Sequence, residues 1–323
     1  MLRKSIFALS AVGVFLLAAA TFAAAPPPQG HVYRIGVLSG GTAKDWAQGM
    51  EALRSGMADL GWNGTRIEFV ERWANGRSER LPRLAAELVA LHVDVIVAPG
   101  DRSANAAIRA SRQIPIVLVN GSDPEGLGLV TSLARPGGNV TGLSYMGPDL
   151  YAKELSLLKE AMPGLRKVGV VIDSTHPSAD GILKALRATG EKLGIELKMV
   201  EIQPLNSLDS RLNDMKNTGV QAITGFVDSE AKDKLISFGI ANRVPLAGYT
   251  NGPPGLLSLE IDAIQMFRRA AYYVDKILRR ANPGELPVEQ PTKFRLIINL
   301  TTAKAFGLTI PQSLLIRATE LVQ

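Results

Sequence analysis

Short apolar runs alternate with amphipathic stretches along almost the whole chain. The segment "VYRIGVLSGGTAKDW", Val32 to Trp46, sets the pattern. Val32, Tyr33, Ile35, Val37 and Leu38 read as a buried strand, Ser39-Gly40-Gly41-Thr42 breaks it, and a helix begins near Lys44. Over 44–60, Trp46, Met50, Leu53, Met57 and Leu60 recur at steps of three and four, which gives a helix with one apolar stripe. Further strands are expected at 66–71, 93–98, 114–119, 167–172, 195–202, 221–227 and 244–249. Nearly continuous apolar strands separated by helices predict parallel sheets covered on both faces.

The two halves repeat one plan. "ADLGWNGTRIEFVE" and "EKLGIELKMVEI" both place Leu-Gly at a helix end just before a strand, where glycine can adopt the left-handed closing conformation. Three breaks rich in proline and glycine interrupt the alternation. They are "ARPGGNVTGLSYMGPD" from Ala134, "TNGPPG" at 250–255, and "ANPGELPVEQPTKF" before "RLIINL". "NVTGLSY" could itself be a strand running between lobes. The chain is expected to leave a first lobe, return, and leave again. This predicts lobe 1 from 31–142 plus 259–287 and lobe 2 from 143–256 plus 294–323. A final helical run, "SLLIRATELV", should follow Pro311.

A length of 323 residues suits two lobes of ordinary size, and 46% hydrophobic residues are enough for real cores. The sequence has no cysteine, which excludes disulfides, thiolate metal sites, cysteine nucleophiles and lipid attachment through sulfur. The formal charge of +6 is spread along the chain, and basic runs such as "RRAAYYVDKILRR" read as solvated helix faces, so no nucleic-acid partner is expected. At the N-terminus, "MLRK" precedes an uncharged stretch that grades into alanines and "PPPQG". This reads as a signal peptide over 1–25, cut near 20–25. A retained membrane anchor competes with it, but the most apolar part is short for a span. Export without a lipid anchor favours the periplasm.

Ligands of open parallel sheets bind beyond the carboxyl ends of the strands. The residues there are Ser39, Gly40, Gly41 and Thr42, then Gly100, Asp101, Arg102 and Ser103, then Ser122 and Asp123. In the second half they are Ser174, Thr175 and His176, then Asp228, and finally Tyr249. Each turn alone could be an ordinary helix cap. Together they could line one cleft, with helix N-termini favouring an anion and Asp123 or Asp228 meeting an ammonium group. Trp46 and Tyr249 could stack on a ligand or pack in a core, and Tyr145 is a similar case. His176 sits at the cleft edge as a possible bystander. Arg102 could pair with a carboxylate or point to solvent.

Motifs for catalysis are missing. There is no phosphate loop, no dinucleotide fingerprint and no nucleophile elbow, and the three histidines have no metal-ligand spacing. An acid pair of Asp123 with Asp228 could in principle do acid–base work. No enzyme activity, cofactor or metal is expected.

"RIGVLSGG", "SLARPGGNVTGLS" and "LPVEQPTKF", with the later "TAKAFGLTIP", together resemble the periplasmic substrate-binding proteins of ABC importers, in the branch of tryptophan- and tyrosine-type receptors. The resemblance runs from about Tyr33 to the C-terminus. It implies an α/β fold of two Rossmann-like, doubly wound lobes with parallel sheets and a three-segment hinge, the type I periplasmic binding fold. It also implies a monomer that closes on a small ligand, an amino acid or related zwitterion, and docks on an ABC permease in the inner membrane. Ser122-Asp123, Ser144, Ser174, Thr175 and Asp228 match positions of the family's polar turns. Two positions depart. Asp101-Arg102-Ser103-Ala104 stands where the family offers Thr-Pro-Ala-Ala to the ligand carboxylate, and Ser258-Leu259-Glu260 stands for its Ser-Tyr-Gly. A receptor serving a sensory membrane protein, or an enzyme on the same scaffold, are the alternatives.

Overall fold

The computed structural model describes residues 31–202, 205–227, 229–248 and 254–323. The first half forms β1 (Tyr33–Ser39), α1 (Ala47–Asp59), β2 (Ile67–Trp73), α2 (Leu81–Ala90), β3 (Val95–Pro99), α3 (Asp101–Ala110), β4 (Ile116–Gly121) and β5 (Val140–Ser144). Its strands make one sheet in the order β2-β1-β3-β4-β5, parallel throughout. Alternate residues serve opposite faces. Ile35, Val37, Val95, Val97, Val117 and Val119 face α1, and Leu38, Ile96, Ala98, Ile116 and Leu118 face α2 and α3. Both faces are buried, which is why these strands read as continuous apolar runs rather than alternating ones.

The second half adds α4 (Gly147–Ala161), β6 (Lys167–Ile172), α5 (Ala179–Leu193), β7 (Glu196–Glu201), α6 (Leu208–Asn217), β8 (Ala222–Phe226), α7 (Ser229–Asn242), β9 (Leu246–Ala247) and β10 (Gly255–Glu260). Then come α8 (Ala263–Leu278), β11 (Arg295–Asn299), α9 (Leu300–Ala305), α10 (Gln312–Arg317) and β12 (Glu320–Val322). The second sheet runs β12-β11-β10-β9-β8-β6-β7, with β10 and β11 antiparallel and the other pairs parallel. The expected terminal helix is therefore shorter than the run suggested: α10 stops at Arg317, and the last residues pair with β11. Leu60-Gly61 and Leu193-Gly194 end α1 and α5 as expected, with φ of 86° and 64° at the two glycines.

The chain crosses between the sheets after β5, between β10 and α8, and again before β11. The last crossing is tied to the first. Ser144 N–H donates to the Glu289 carbonyl at 2.9 Å, and Glu289 N–H donates to the Gly142 carbonyl at 2.9 Å. Between the second and third crossings α8 returns to the first sheet and lies against α1. Trp62, almost fully buried, donates its indole N–H to Asp275 of α8 at 2.8 Å, and Arg279 holds the same carboxylate at 2.6 Å.

Two glycines let α1 and α8 approach. A Cβ on Gly49 would meet the Phe267 ring at 2.7 Å, and one on Gly56 would meet the Ala271 Cβ at 2.8 Å and the Arg268 carbonyl oxygen at 3.0 Å. Backbone cannot swing aside, so Gly56→Val is expected to lower stability by about 1–3 kcal/mol through overpacking. The measurement is urea denaturation, read as a lower midpoint at unchanged slope; an unaltered midpoint would show that the helices have room to separate.

Candidate functional site

The two sheets present their strand ends to each other, and the contact between them starts at α3. Gly100 precedes the helix with φ 81° and ψ 159°, a conformation that favours glycine. It turns Asp101 inward, where the residue is 2% exposed. Both Asp101 carboxylate oxygens accept the Ser122 N–H, at 3.0 and 3.2 Å. The second lobe adds the Ser178 hydroxyl, 2.5 Å from Asp101 Oδ2. Arg102, the next residue, points to the rim. Its Nη2 donates to Asp173 Oδ2 at 2.7 Å and to Thr175 Oγ1 at 2.8 Å. Consecutive residues of one helix thus grip the turn after β6 from two sides.

Burial raises the Asp101 carboxyl, opposed by its bonds from Ser178 and Ser122. Burial also works to raise Asp173, but bonds from Thr175 and Arg102 prevail and hold it below the usual carboxylate range. His176 moves the other way: burial, helped by the Arg102 charge, lowers it to about 4. Its ring is therefore neutral at pH 7. Ser178 N–H donates to His176 Nδ1 at 3.2 Å, which leaves the ring proton on Nε2.

Behind this clasp lies a cavity of about 390 Å³ between the lobes. Gly100, Asp101 and Asn120 line it from the first lobe and Tyr145 from the crossing after β5; Tyr151, His176 and Phe226 line it from the second, and Leu259, Glu260 and Ile261 close it at the crossing after β10. Phe226 is the centre of the aromatic wall, with the His176 ring at 4.4 Å and the Tyr151 ring at 5.9 Å, both edge-on. Burial pushes the Tyr145 phenol up, so it stays a neutral donor. An adjoining cavity of about 180 Å³ shares Tyr151, Phe226 and Glu260 and reaches Glu154. A larger concavity, of about 490 Å³, lies at β7 and α6 on the second lobe alone, away from the strand ends. The cleft between lobes is the better candidate, because open α/β sheets bind ligands beyond their strands.

The expected site residues fall into three groups. Gly100 and Asp101 line the cavity. Arg102 and Thr175 form the clasp, with Ser122 and Ser144 supporting it: Ser122 N–H binds Asp101, and the Ser144 hydroxyl donates to the Ser122 carbonyl at 3.3 Å. The rest of the described set lies outside the cavity lining. The turn after β1 is satisfied by the protein itself: Gly40 N–H donates to Ser103 Oγ, Gly41 N–H to Ser39 Oγ, and Thr42 N–H to Asp45, at 3.2, 3.2 and 2.9 Å. Trp46 covers Gly41 and packs on Phe267 at 5.3 Å between ring centres. Asp123 accepts from Gly126 N–H at 2.9 Å, and Ser174 donates to Glu201 at 3.2 Å. Asp228 and Tyr249 lie outside the described residues.

Sequence reasoning missed Glu154, Asn120, Tyr151 and Phe226. Glu154 is 3% exposed on α4, accepting from Thr224 Oγ1 at 3.1 Å and Leu259 N–H at 3.3 Å. A signal existed, since it interrupts the apolar stripe of Tyr151, Leu155 and Leu158. Among the described residues no group of three or more histidines, aspartates or glutamates is arranged to hold a metal ion. None of the described helices is long and apolar enough to cross a membrane.

The family model for "ABC transporter substrate binding protein" matches residues 37–322. The tyrosine-binding protein of Clostridioides difficile (strain R20291) is 27% identical over 267 residues, covering 78% of this chain and 74% of its own. Two solved structures superpose with TM-scores of 0.81. An ABC domain from Streptococcus pneumoniae in complex with L-Trp is 23% identical, covering 90% of this chain and all of its own. A conserved domain protein from Vibrio cholerae is 27% identical, covering 90% of this chain and 99% of its own. The fold is that of the two-lobed type I periplasmic binding proteins.

Burial raises Glu154 to about 7, opposed by its two hydrogen bonds. A carboxyl that binds its proton more tightly folded than unfolded destabilises the fold as it ionises. Stability should therefore fall as pH rises from about 4.5 to about 7, by about 3 kcal/mol from this group, and level off above. Denaturation of wild type and Glu154→Gln across pH 4.5–8 is the check; the variant should lack that part of the slope, and parallel curves would assign the proton elsewhere.

Proposed function

Because the chain belongs to the ABC transporter substrate-binding protein family, we propose that it is an extracytoplasmic solute receptor. It captures a small polar solute between its lobes and delivers it to an ABC permease in the inner membrane. The observation that carries this reading is the interlobe cavity closed by Asp101 and Arg102 on one side and Asp173, Thr175 and Ser178 on the other. An amino acid or related zwitterion is among the first solutes to test, a choice supported by the relative named as a tyrosine-binding protein.

The lobes of this reading are 31–142 with 259–287 and 143–256 with 294–323. Residues 1–25 serve as a signal peptide, and the absence of cysteine in the sequence removes a sulfur-linked lipid anchor, so the mature receptor is free in the periplasm. It acts as a monomer and performs no chemistry. Ligand favours the closed form only by its greater affinity for that form, and the permease reads the closed pair of lobes.

Arg102→Ala removes one arm of the clasp and leaves Asp173 buried without its cation. The Arg102 side chain keeps 27% exposure, so solvent screening limits the effect to about 1–2 kcal/mol, roughly tenfold in affinity. Calorimetric titration should show that loss for any solute found by native mass spectrometry, and small-angle scattering should show a larger radius of gyration without ligand. A proven ligand that leaves the scattering curve of wild type unchanged would overturn closure as the mechanism.

A further inference from the structure

We propose that the solute of this cleft is an organic cation, an amine or ammonium group on an aromatic or apolar body, without a free carboxylate. The inference rests on the receptor reading and narrows its ligand class.

The cavity is rich in oxygen acceptors. Asp101 and Glu260 both bring carboxylates to the lining, the first bonded to Ser122 and Ser178 and the second accepting the Ser258 hydroxyl through Oε1, and Asn120 supplies an amide. Asn120 holds φ 59°, a left-handed conformation, and its Oδ1 is buried with no donor among the described residues. A buried acceptor of this kind calls for an N–H or O–H from a guest. The adjoining cavity brings Glu154 next to the same Glu260.

Cations are absent from the described lining of both cavities. Arg102, the neighbour of Asp101, is committed to Asp173 and Thr175. The donors that line the cavity are neutral ones, the tyrosine hydroxyls, the His176 ring and the Asn120 amide N–H.

The start of α3 is where a helix dipole would hold a ligand carboxylate. Here its own first residue is an acid: Asp101 brings a carboxylate to that end and binds Ser122 N–H and Ser178. A guest carboxylate brought there would meet like charge. An ammonium group would meet opposite charge, with the aromatic residues Tyr145, Tyr151 and Phe226 in the same lining, a residue class that attracts cations. At about 390 Å³ the cavity suits one small molecule.

The test uses pairs that differ only at the carboxyl: tryptamine with tryptophan, tyramine with tyrosine, phenethylamine with phenylalanine, each amino acid also as its amide. Calorimetry on protein stripped of bound solute by reversible denaturation should find the amine or amide at least tenfold tighter than the acid. Glu260→Gln should reduce that preference severalfold, with the unliganded melting temperature showing that the variant folds. Equal or tighter binding of the free acids overturns the cation assignment and leaves the receptor intact. Failure of every amine and amide also overturns it; the receptor reading then stands only if native mass spectrometry finds a neutral or acidic solute released on denaturation, and falls if no solute is bound at all.

Discussion

A buried carboxylate needs hydrogen-bond donors, and Asp101 draws its own from both lobes. Ser122 answers from the same lobe and Ser178 from the opposite one. Helical geometry sends the adjacent Arg102 about 100° around the axis, so it reaches the rim, where Asp173 accepts it. The separation and orientation of the strand ends follow from these two residues. The cavity they close takes its shape from what is left behind them.

Inside, the two lobes contribute unequal chemistry. The first sheet's strand ends offer Asp101 at the start of α3, Asn120 near the end of β4 and Tyr145 just after β5, and the second lobe offers the ring cluster around Phe226. The clasp and the binding walls share the turn after β6, because Asp173, Thr175, His176 and Ser178 sit within six residues. The Ser178 that reaches Asp101 also donates its N–H to the His176 ring, which lines the cavity.

The sheets were legible in the sequence because both of their faces are buried, which leaves long apolar runs such as Val95–Ala98 and Val168–Ile172. β12 was not: Glu320 and Leu321 are exposed, three residues carry little pattern, and the pairing with β11 comes from tertiary context. Asp101-Arg102 stood out as an anomaly at a strand end, yet its partners lie more than seventy residues away, and no local spacing encodes Asp173 or Ser178. The opposite happened at Ser39–Thr42. Its polar, glycine-rich composition resembles a ligand-binding turn, but nearby Asp45 and distant Ser103 take its N–H groups. Glu154 was legible only as an acid set into the apolar stripe of α4, a pattern easily read as the edge of an exposed face.

The late position of α8 bears on how the molecule is made. Strands β1 to β5 are complete at Ser144, but the helix that covers the α1 side of their sheet begins at Ala263. A chain emerging from its N-terminus must therefore carry Phe267, Val274 and their neighbours past the second lobe's strands before the first lobe has its full core. Independent completion of the N-terminal unit, the usual order in multidomain chains, is denied here. The two lobes must mature together, and the unfinished sheet is the surface a chaperone would have to guard.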